Sequence, residues 1–103
     1  MSFKNDITEA DNRVSKMIMS QINALDKWAL SSWGSKNYVS SPNSLTFDVR
    51  GSKFRGKVII KLNKRDTYDI EFGTIRKMEY TVKQTVKGIF VEQLVNTIDN
   101  VVG

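Results

Sequence analysis

Residues 44–62 have the sequence SLTFDVRGSKFRGKVIIKL, in which apolar and polar side chains alternate on both sides of Gly51-Ser52. Alternation with period two is typical of strands that bury one face, and a Gly-first pair between two such runs favours a tight turn. We therefore predict a β-hairpin with a two-residue loop, in which Asp48 lies opposite Arg55 and apolar side chains share one face.

Two more strands are predicted after this hairpin. In residues 65–77, RDTYDIEFGTIRK, aromatic and aliphatic side chains alternate with carboxylates. A three-residue loop at 64–66 keeps the apolar faces matched and places Lys61 opposite Asp69. The segment KMEYTVKQTVK also alternates, and its Thr, Val and Tyr content favours a fourth strand, although its apolar spacing also suits a helix. Its apolar residues are Met78, Tyr80, Val82 and Val86.

A long helix is predicted before the sheet. Apolar residues recur at spacings of three and four through residues 14–33, which indicates one apolar stripe along a helix. Thr8 and Asp11 have the spacing of a capping box, and Gly34 follows the stripe where a left-handed C-cap is common. We therefore expect a helix from Thr8 to Gly34.

The remaining segments complete an α+β fold. Residues 35–43, SKNYVSSPN, are rich in turn formers and predict a connector, whereas residues 90–102 carry a second helical stripe after Gly88 breaks the strand pattern. The sum is a two-layer, four-stranded antiparallel meander with a long N-terminal helix and a C-terminal helix on one face, in the order α-β-β-β-β-α. At this length we expect a single domain over residues 1–103.

Composition limits the chemistry available. The 103 residues include neither Cys nor His, which removes thiolate nucleophiles, Cys-based zinc sites and the commonest general base. Residues 51–58, GSKFRGKV, match seven positions of a phosphate-binding loop, but Val58 stands where Ser or Thr is needed. Asp48 and Asp69 face cations in the predicted register, so they are interpreted as cross-strand partners. We predict no enzyme activity, no metal and no cofactor.

No apolar run approaches the roughly 18 residues that a membrane-spanning helix needs. The N-terminal segment MSFKNDITEADNR is polar and acidic, unlike a signal peptide. The sequence therefore predicts a cytoplasmic protein with no membrane partner.

The formal net charge of +5 originates in the middle of the chain. Residues 36–67 carry eight basic and two acidic side chains, whereas the flanking segments are nearly balanced. Clustered cations are typical of surfaces that bind polyanions, and they would contact the nucleic-acid backbone rather than bases. The alternative is a solvated sheet whose cations deter edge aggregation. The candidate binding residues are Lys36, Arg50, Lys53, Lys57, Lys64 and Arg65.

Three aromatic residues are candidates for a protein interface, namely Trp28, Trp33 and Tyr38. The two tryptophans lie on the helix stripe, where aromatic side chains more often belong to the core. If the first helix extends past a small sheet, its end would instead bury against another chain. A homodimer through this helix is therefore a further hypothesis.

Three blocks carry motifs of a known kind: WGSKNYVSSPNSLTFDV has Lys-Asn-aromatic-Val followed by Asn-Ser-Leu-x-Phe, KVIIKLNKRDTYDIEFGTIRK has Asp-x-Tyr, and VKGIFVEQL has Gly-aliphatic-aromatic. Over residues 20–98 they resemble a family of small proteins from phages and other mobile elements. That family has no assigned activity, so the resemblance implies origin rather than mechanism. This sequence has WGSKN where the family has Thr-Gly-Ala-Lys-Asn. The family-like positions to test are Lys36, Asn37, Tyr38, Asn43, Asp66, Tyr68 and Arg76.

The absence of catalytic residues and the phage-like resemblance favour a small binding module. Its expected partner is a host or viral protein, as for a regulator or an anti-defence factor. The alternative is a sequence-nonspecific nucleic-acid-binding protein that uses the basic hairpin tips.

Overall fold

A computed structural model describes residues 13–103, and within this range helices cover one face of a five-stranded antiparallel sheet. The α+β class is thus as predicted, with one strand more than expected. The helices are α1 (Arg13–Leu25), the short α2 (Ala29–Ser32) and α3 (Leu94–Val102). The strands, adjacent in chain order, are β1 (Lys36–Ser41), β2 (Ser44–Arg50), β3 (Arg55–Leu62), β4 (Tyr68–Arg76) and β5 (Glu79–Ile89).

The core lies between the helices and one face of the sheet. Helix α1 contributes Ile18 and Ile22, and α3 contributes Leu94, Ile98 and Val102, all fully buried. Full burial of such a side chain contributes about 1.5–3 kcal/mol, so these contacts hold the helices on the sheet. Alternate residues of three strands form the other half of the core, as predicted: Leu45, Phe47, Val49, Val58, Ile60, Tyr68, Ile70 and Phe72.

Strand β1 lies where a connector is predicted, and it is the additional strand. It pairs with β2 through Val39 opposite Thr46 and Ser40 opposite Leu45. As an edge strand its side chains are nearly all exposed, so the segment lacks the alternation by which half-buried strands are recognised. The prediction of a connector is therefore wrong.

The predicted long helix is interrupted at Asp26. The Asp26 carboxylate accepts a hydrogen bond from the backbone N–H of Trp28 at 2.9 Å, and such local bonds compete with the helical backbone. The chain then forms the short α2, which Gly34 closes with φ of +61°, as predicted. The predicted helix start at Thr8 and Asp11 lies outside the described residues.

The register of β3 and β4 agrees with the prediction, whereas that of β2 and β3 does not. Lys61 lies opposite Asp69, as the three-residue loop requires. Asp48 lies opposite Lys57 rather than Arg55, because the β2–β3 loop has four residues instead of two. A shift of two residues keeps every side chain on its predicted face.

Helix α3 explains the longer loop. The backbone N–H groups of Lys53 and Phe54 both donate to the Val102 carbonyl oxygen, at 3.0 and 3.3 Å. Gly51 is required beside this contact, because a Cβ there would lie 2.0 Å from the same oxygen. A residue distant in the chain therefore sets the β2–β3 register.

Strand β5 confirms the strand interpretation of the segment after residue 77. Lys77 and Met78 form the β4–β5 turn with φ of 51° and 66°, the left-handed conformations of a type I′ turn. A register shift after Val82 inserts one extra residue, Lys83, and reverses the alternation. Tyr80 and Val82 thus face away from the helices, while Val86 packs against the core.

The C-terminal segment begins its helix later than its stripe predicts. Gly88 has φ of +68° inside β5, at a second register shift, rather than at the strand end. A 3₁₀ turn at Val91–Gln93 follows, so Phe90 and Val91 precede α3 and are exposed. Within residues 13–103, no helix is both long enough and apolar enough to cross a membrane.

Candidate binding surfaces

The sheet face turned away from the helices, here called the open face, is uncovered by any other described part of the chain. Cross-strand pairs define its rows; one row contains Val39, Thr46, Ile59, Glu71 and Thr85. Its charged residues are Lys36, Asp48, Arg50, Arg55, Lys57, Lys61, Asp69, Glu71 and Lys87. Because six of these nine are cations, the open face is net positive.

Three of the predicted cations meet at one end of the open face. Lys36, Arg50 and Lys57 line a shallow depression of about 340 Å³ together with Asp48 and Ile75. Lys57 forms an ion pair with Asp48 at 2.7 Å. Arg55 lies directly opposite Arg50. We call Lys36, Arg50, Arg55 and Lys57 the Arg50 cluster.

Asp48 is the electrostatic centre of this cluster. Burial alone would raise the pKa of its carboxyl group. Hydrogen bonds from Asn37 and Lys57, together with the charges of Lys57 and Lys36, outweigh burial and lower the pKa below its ordinary value of 3.8. Asp48 therefore neutralises part of the cluster. Among residues 13–103 the ion pairs are Lys57–Asp48 and Lys61–Glu71, so neither of the two facing arginines belongs to one.

Lys64 and Arg65 lie at the opposite end of the open face. With Lys87 they border a depression of about 500 Å³, and we call these three residues the Arg65 cluster. The eight residues of β3 separate the two clusters by roughly 25 Å. Lys53 lies in the β2–β3 loop, where its ammonium group donates to the Asn100 carbonyl at 3.5 Å. The structure thus divides the six predicted cations between two ends of the sheet.

An Asn side chain holds the loop of the Arg65 cluster. The Asn63 Oδ1 accepts from the backbone N–H groups of Arg65 and Thr67, at 2.8 and 3.2 Å. Its amide group donates to Thr67 Oγ1 at 2.7 Å and to Asp69 Oδ1 at 3.1 Å. Asp66, with φ of 61°, completes this tight loop. The cations at its tip are therefore displayed on a fixed backbone.

Apolar side chains cluster on the β4–β5 hairpin, where the sequence prediction named no binding residue. Ile75, directly opposite Tyr80, is 52% exposed; Val82, opposite Gly73, is 49% exposed. Met78 at the turn is fully exposed. We call Ile75, Met78, Tyr80 and Val82 the hairpin patch. Because the bulge at Lys83 reverses the alternation, the sequence alone does not place Tyr80 and Val82 on the open face. Alternation along β4 does place Ile75 on the same face as Glu71, and this was a usable signal for one residue of the patch.

Tyr80 is the fixed element of the hairpin patch. Its ring lies across Gly73, since a Cβ on that glycine would approach the Tyr80 hydroxyl to 2.3 Å. The hydroxyl donates to Glu71 Oε2 at 2.8 Å. Burial, then this hydrogen bond and the negative charge of Glu71, raise the pKa of Tyr80 to about 12. The side chain is therefore held in one orientation and stays protonated at neutral pH.

The three predicted interface aromatics lie in different environments. Trp28 is 66% exposed, with the Lys27 ammonium group 5.4 Å from its ring centre. Tyr38 is partly exposed and packs against the buried Phe47 with ring centres 5.6 Å apart. Trp33 is fully buried, and its indole N–H donates to Asp99 Oδ1 at 3.1 Å. Its burial removes Trp33 from the interface candidates.

The family-like residues are also dispersed. Tyr68 is buried, where its hydroxyl donates to Gln21 and its pKa is raised, mainly by burial. Asn37 has φ of 57° at the bulge of β1 and donates to Asp48 Oδ2 at 2.8 Å. Asn43 lies in the β1–β2 turn and Arg76 beside the β4–β5 turn. Tyr68 and Asn37 therefore have structural roles, and the four residues lie at separate places in the fold.

No cluster of three or more carboxylates that could hold a metal ion occurs among the residues that the structure describes. Comparison with known proteins finds no matching family model, no matching curated protein and no matching solved structure. The surfaces of the molecule are therefore the basis for assigning a function.

Proposed function

We propose that the protein is a small non-enzymatic module, of phage or mobile-element origin, that binds a host or viral protein in the cytoplasm. The observation that carries this proposal is the hairpin patch. Contiguous exposed apolar groups on a small protein mark interaction surfaces, whereas singly scattered ones do not. Ile75, Tyr80 and Val82 are contiguous, because two adjacent cross-strand pairs place them side by side.

The rigidity of this patch favours binding. Tyr80 is fixed by Gly73 beneath its ring and by Glu71 at its hydroxyl, so a partner would not have to order it. Tyrosine supplies a large contact area with a polar tip, which is why it is enriched at protein interfaces. The hairpin therefore presents a preformed aromatic anchor.

The surroundings indicate the chemistry of the partner. Ile75 borders the depression of the Arg50 cluster, so the apolar patch continues directly into a cationic area. In protein interfaces an apolar centre is commonly surrounded by a polar, charged rim. A partner with an apolar centre and acidic side chains on one side would match both parts.

The test is capture of partners from bacterial lysates by immobilised protein, compared across three forms. The forms are wild type, Ile75→Ser/Val82→Ser, and Val39→Ser, which alters an exposed apolar residue of β1 outside the patch. We expect a protein retained by wild type and by the Val39 variant to be lost from the patch variant. Equal retention of every captured protein by the patch variant would contradict the proposal.

Nucleic-acid binding is the second candidate, favoured by one observation. Arg50 and Arg55 lie directly opposite each other, although like charges in that position are unfavourable, and Asp48 is already bound to Lys57. An external polyanion would relieve this repulsion.

Fluorescence anisotropy with single- and double-stranded DNA and RNA tests this candidate. We expect binding that weakens steeply with salt and is lost in a variant carrying Glu at positions 50, 53, 64 and 65. Absence of binding even at low salt would exclude it, and the protein-capture result would be unaffected.

A further inference from the structure

The outer edge of β5 has no neighbouring strand within residues 13–103. Strand order places β5 last in the sheet, with β4 on one side only. Its eleven residues, EYTVKQTVKGI, are rich in the Thr, Val and Tyr that suit strands, and nearly all of them are exposed. Such an edge is a template for a further strand unless something blocks it.

The β4–β5 turn determines which backbone groups point to this edge. In a two-residue hairpin the pair that flanks the turn, here Arg76 and Glu79, exchanges backbone hydrogen bonds. Hydrogen-bonded and non-hydrogen-bonded pairs then alternate. Tyr80 and Val82 are therefore in non-hydrogen-bonded pairs, and their N–H and C=O groups point outward to the free edge.

We propose that the occupant of this edge is a second copy of the chain, paired antiparallel through β5 about a two-fold axis at Thr81. In this register Tyr80 of one copy lies opposite Val82 of the other, and the reverse, so the outward backbone groups form hydrogen-bonded pairs. Every contact away from the axis also occurs twice, as two-fold symmetry requires, and Thr81 faces its own copy on the axis.

Charge complementarity selects this register. Glu79 and Lys83 lie two residues before and two residues after Thr81, so Glu79 of each copy lies opposite Lys83 of the other. Strand alternation places both side chains on the helix-facing side of the sheet, and opposite charges in cross-strand positions are favourable. An axis at Lys83 would instead place two lysines face to face. The turn at 77–78 and the bulge at Lys83 confine the pairing to residues 79–83.

The other edge of the sheet fits a partner less well. Strand β1 is shorter, and a bulge between Lys36 and Val39, with Asn37 at positive φ, interrupts it. Strand β5 also has bulges, but they come after Val82, so its residues 79–82 keep a regular register, whereas β1 keeps one only over residues 39–41. The second copy is therefore assigned to β5 rather than to β1.

Dimerisation would join the two hairpin patches. The axis runs perpendicular to the sheet, so Tyr80 and Val82 of both copies lie on the same open face and form one apolar strip. An interface of five residues per copy falls below the roughly 1,200 Å² of stable complexes, so we expect weak association that depends on concentration. This inference does not rest on the proposed partner, because a monomer would still carry the hairpin patch.

Sedimentation equilibrium over about 5–500 µM protein, the range suited to a small interface, tests the dimer. Two charge reversals, Glu79→Lys and Lys83→Glu, each place like charges at both contacts, and we expect each alone to weaken dimerisation at least about tenfold. An equimolar mixture restores opposite charges between copies and should return to within about threefold of wild type. Within one copy the two residues lie too far apart along the strand to explain such a rescue.

Controls make each outcome decisive. Lys87→Glu lies on the same strand beyond the proposed ladder and should dimerise as wild type does. Circular dichroism checks that every variant is folded. A wild type that is monomeric throughout, a mixture that stays monomeric, or a dimer insensitive to both reversals would overturn the proposal. The lysate capture, done at low protein concentration, reports separately on the partner.

Discussion

Replacing Gly51 by Ala is expected to destabilise the protein by about 3 kcal/mol. The new Cβ would lie 2.0 Å from the Val102 carbonyl oxygen, at least 1.4 Å closer than the ordinary contact distance of 3.4 Å. Gly51 does not have a positive φ, so backbone strain adds nothing, and without the contact an Ala there would stabilise by about 0.4–1 kcal/mol.

The magnitude follows from what must move. To relieve the overlap, the end of α3 shifts away from the β2–β3 loop and releases the hydrogen bonds from Lys53 and Phe54 to Val102. Two backbone hydrogen bonds contribute about 1 kcal/mol each, and partial exposure of the fully buried Val102 costs about another 1.5 kcal/mol.

Urea denaturation followed by tryptophan fluorescence, to which the buried Trp33 contributes, measures this loss. Gly88→Ala is the matched control, because it has a positive φ of +68° and open space around it, and should cost about 1–2 kcal/mol through backbone strain alone. Hydrogen exchange adds a local readout: the Lys53 and Phe54 amides should lose protection only in the Gly51 variant. Unchanged or increased stability of Gly51→Ala would refute the role given to the Val102 contact.

Three further outcomes follow from the same geometry. Tyr80 should ionise near pH 12 by phenolate absorbance, and Glu71→Gln should move the pKa of Tyr80 down towards 10. Because the pKa of Tyr80 is higher in the folded than in the unfolded protein, its contribution to the free energy of unfolding is complete below pH 10 and is lost as the pH rises to 12. Asp48 should titrate below pH 3.8 by NMR, and Lys57→Met should raise the pKa of Asp48. Because this pKa is lower in the folded than in the unfolded protein, the contribution of Asp48 to the free energy of unfolding is present above pH 3.8 and is lost as the pH falls further. Met78→Gly should stabilise by about 1 kcal/mol in urea denaturation, since φ of 66° suits glycine.

Strands with one buried face could be predicted from the sequence. In β4, Tyr68, Ile70 and Phe72 alternate with polar residues because the helices cover only one side, and burial requires that pattern. A loop with an odd number of residues between β3 and β4 was needed to keep their apolar faces matched, and this determined that Lys61 lies opposite Asp69. The β2–β3 register escaped prediction because it depends on Val102, and no local pattern contains that contact.

Segments exposed on both faces were harder to predict. Strand β1 has no buried row, so its residues lack the alternation from which strands are inferred. The candidate surface shows the same limit: the predicted meander already separates Lys64 and Arg65 from Arg50, but Lys36 joins the Arg50 cluster only through the pairing of β2 with β1, which was not predicted. The hairpin patch depends on the bulge at Lys83, which turns Tyr80 and Val82 to the open face.

The bond from the β2–β3 loop to Val102 has a consequence for biosynthesis. A ribosome makes residues 51–54 long before residue 102, so β2 and β3 leave it with the amides of Lys53 and Phe54 still without their acceptor. The sheet can begin to pair, but its native register is secured only after α3 has been translated. Formation of the native core therefore has to wait for α3, and a chain arrested before α3 would expose apolar strands to aggregation.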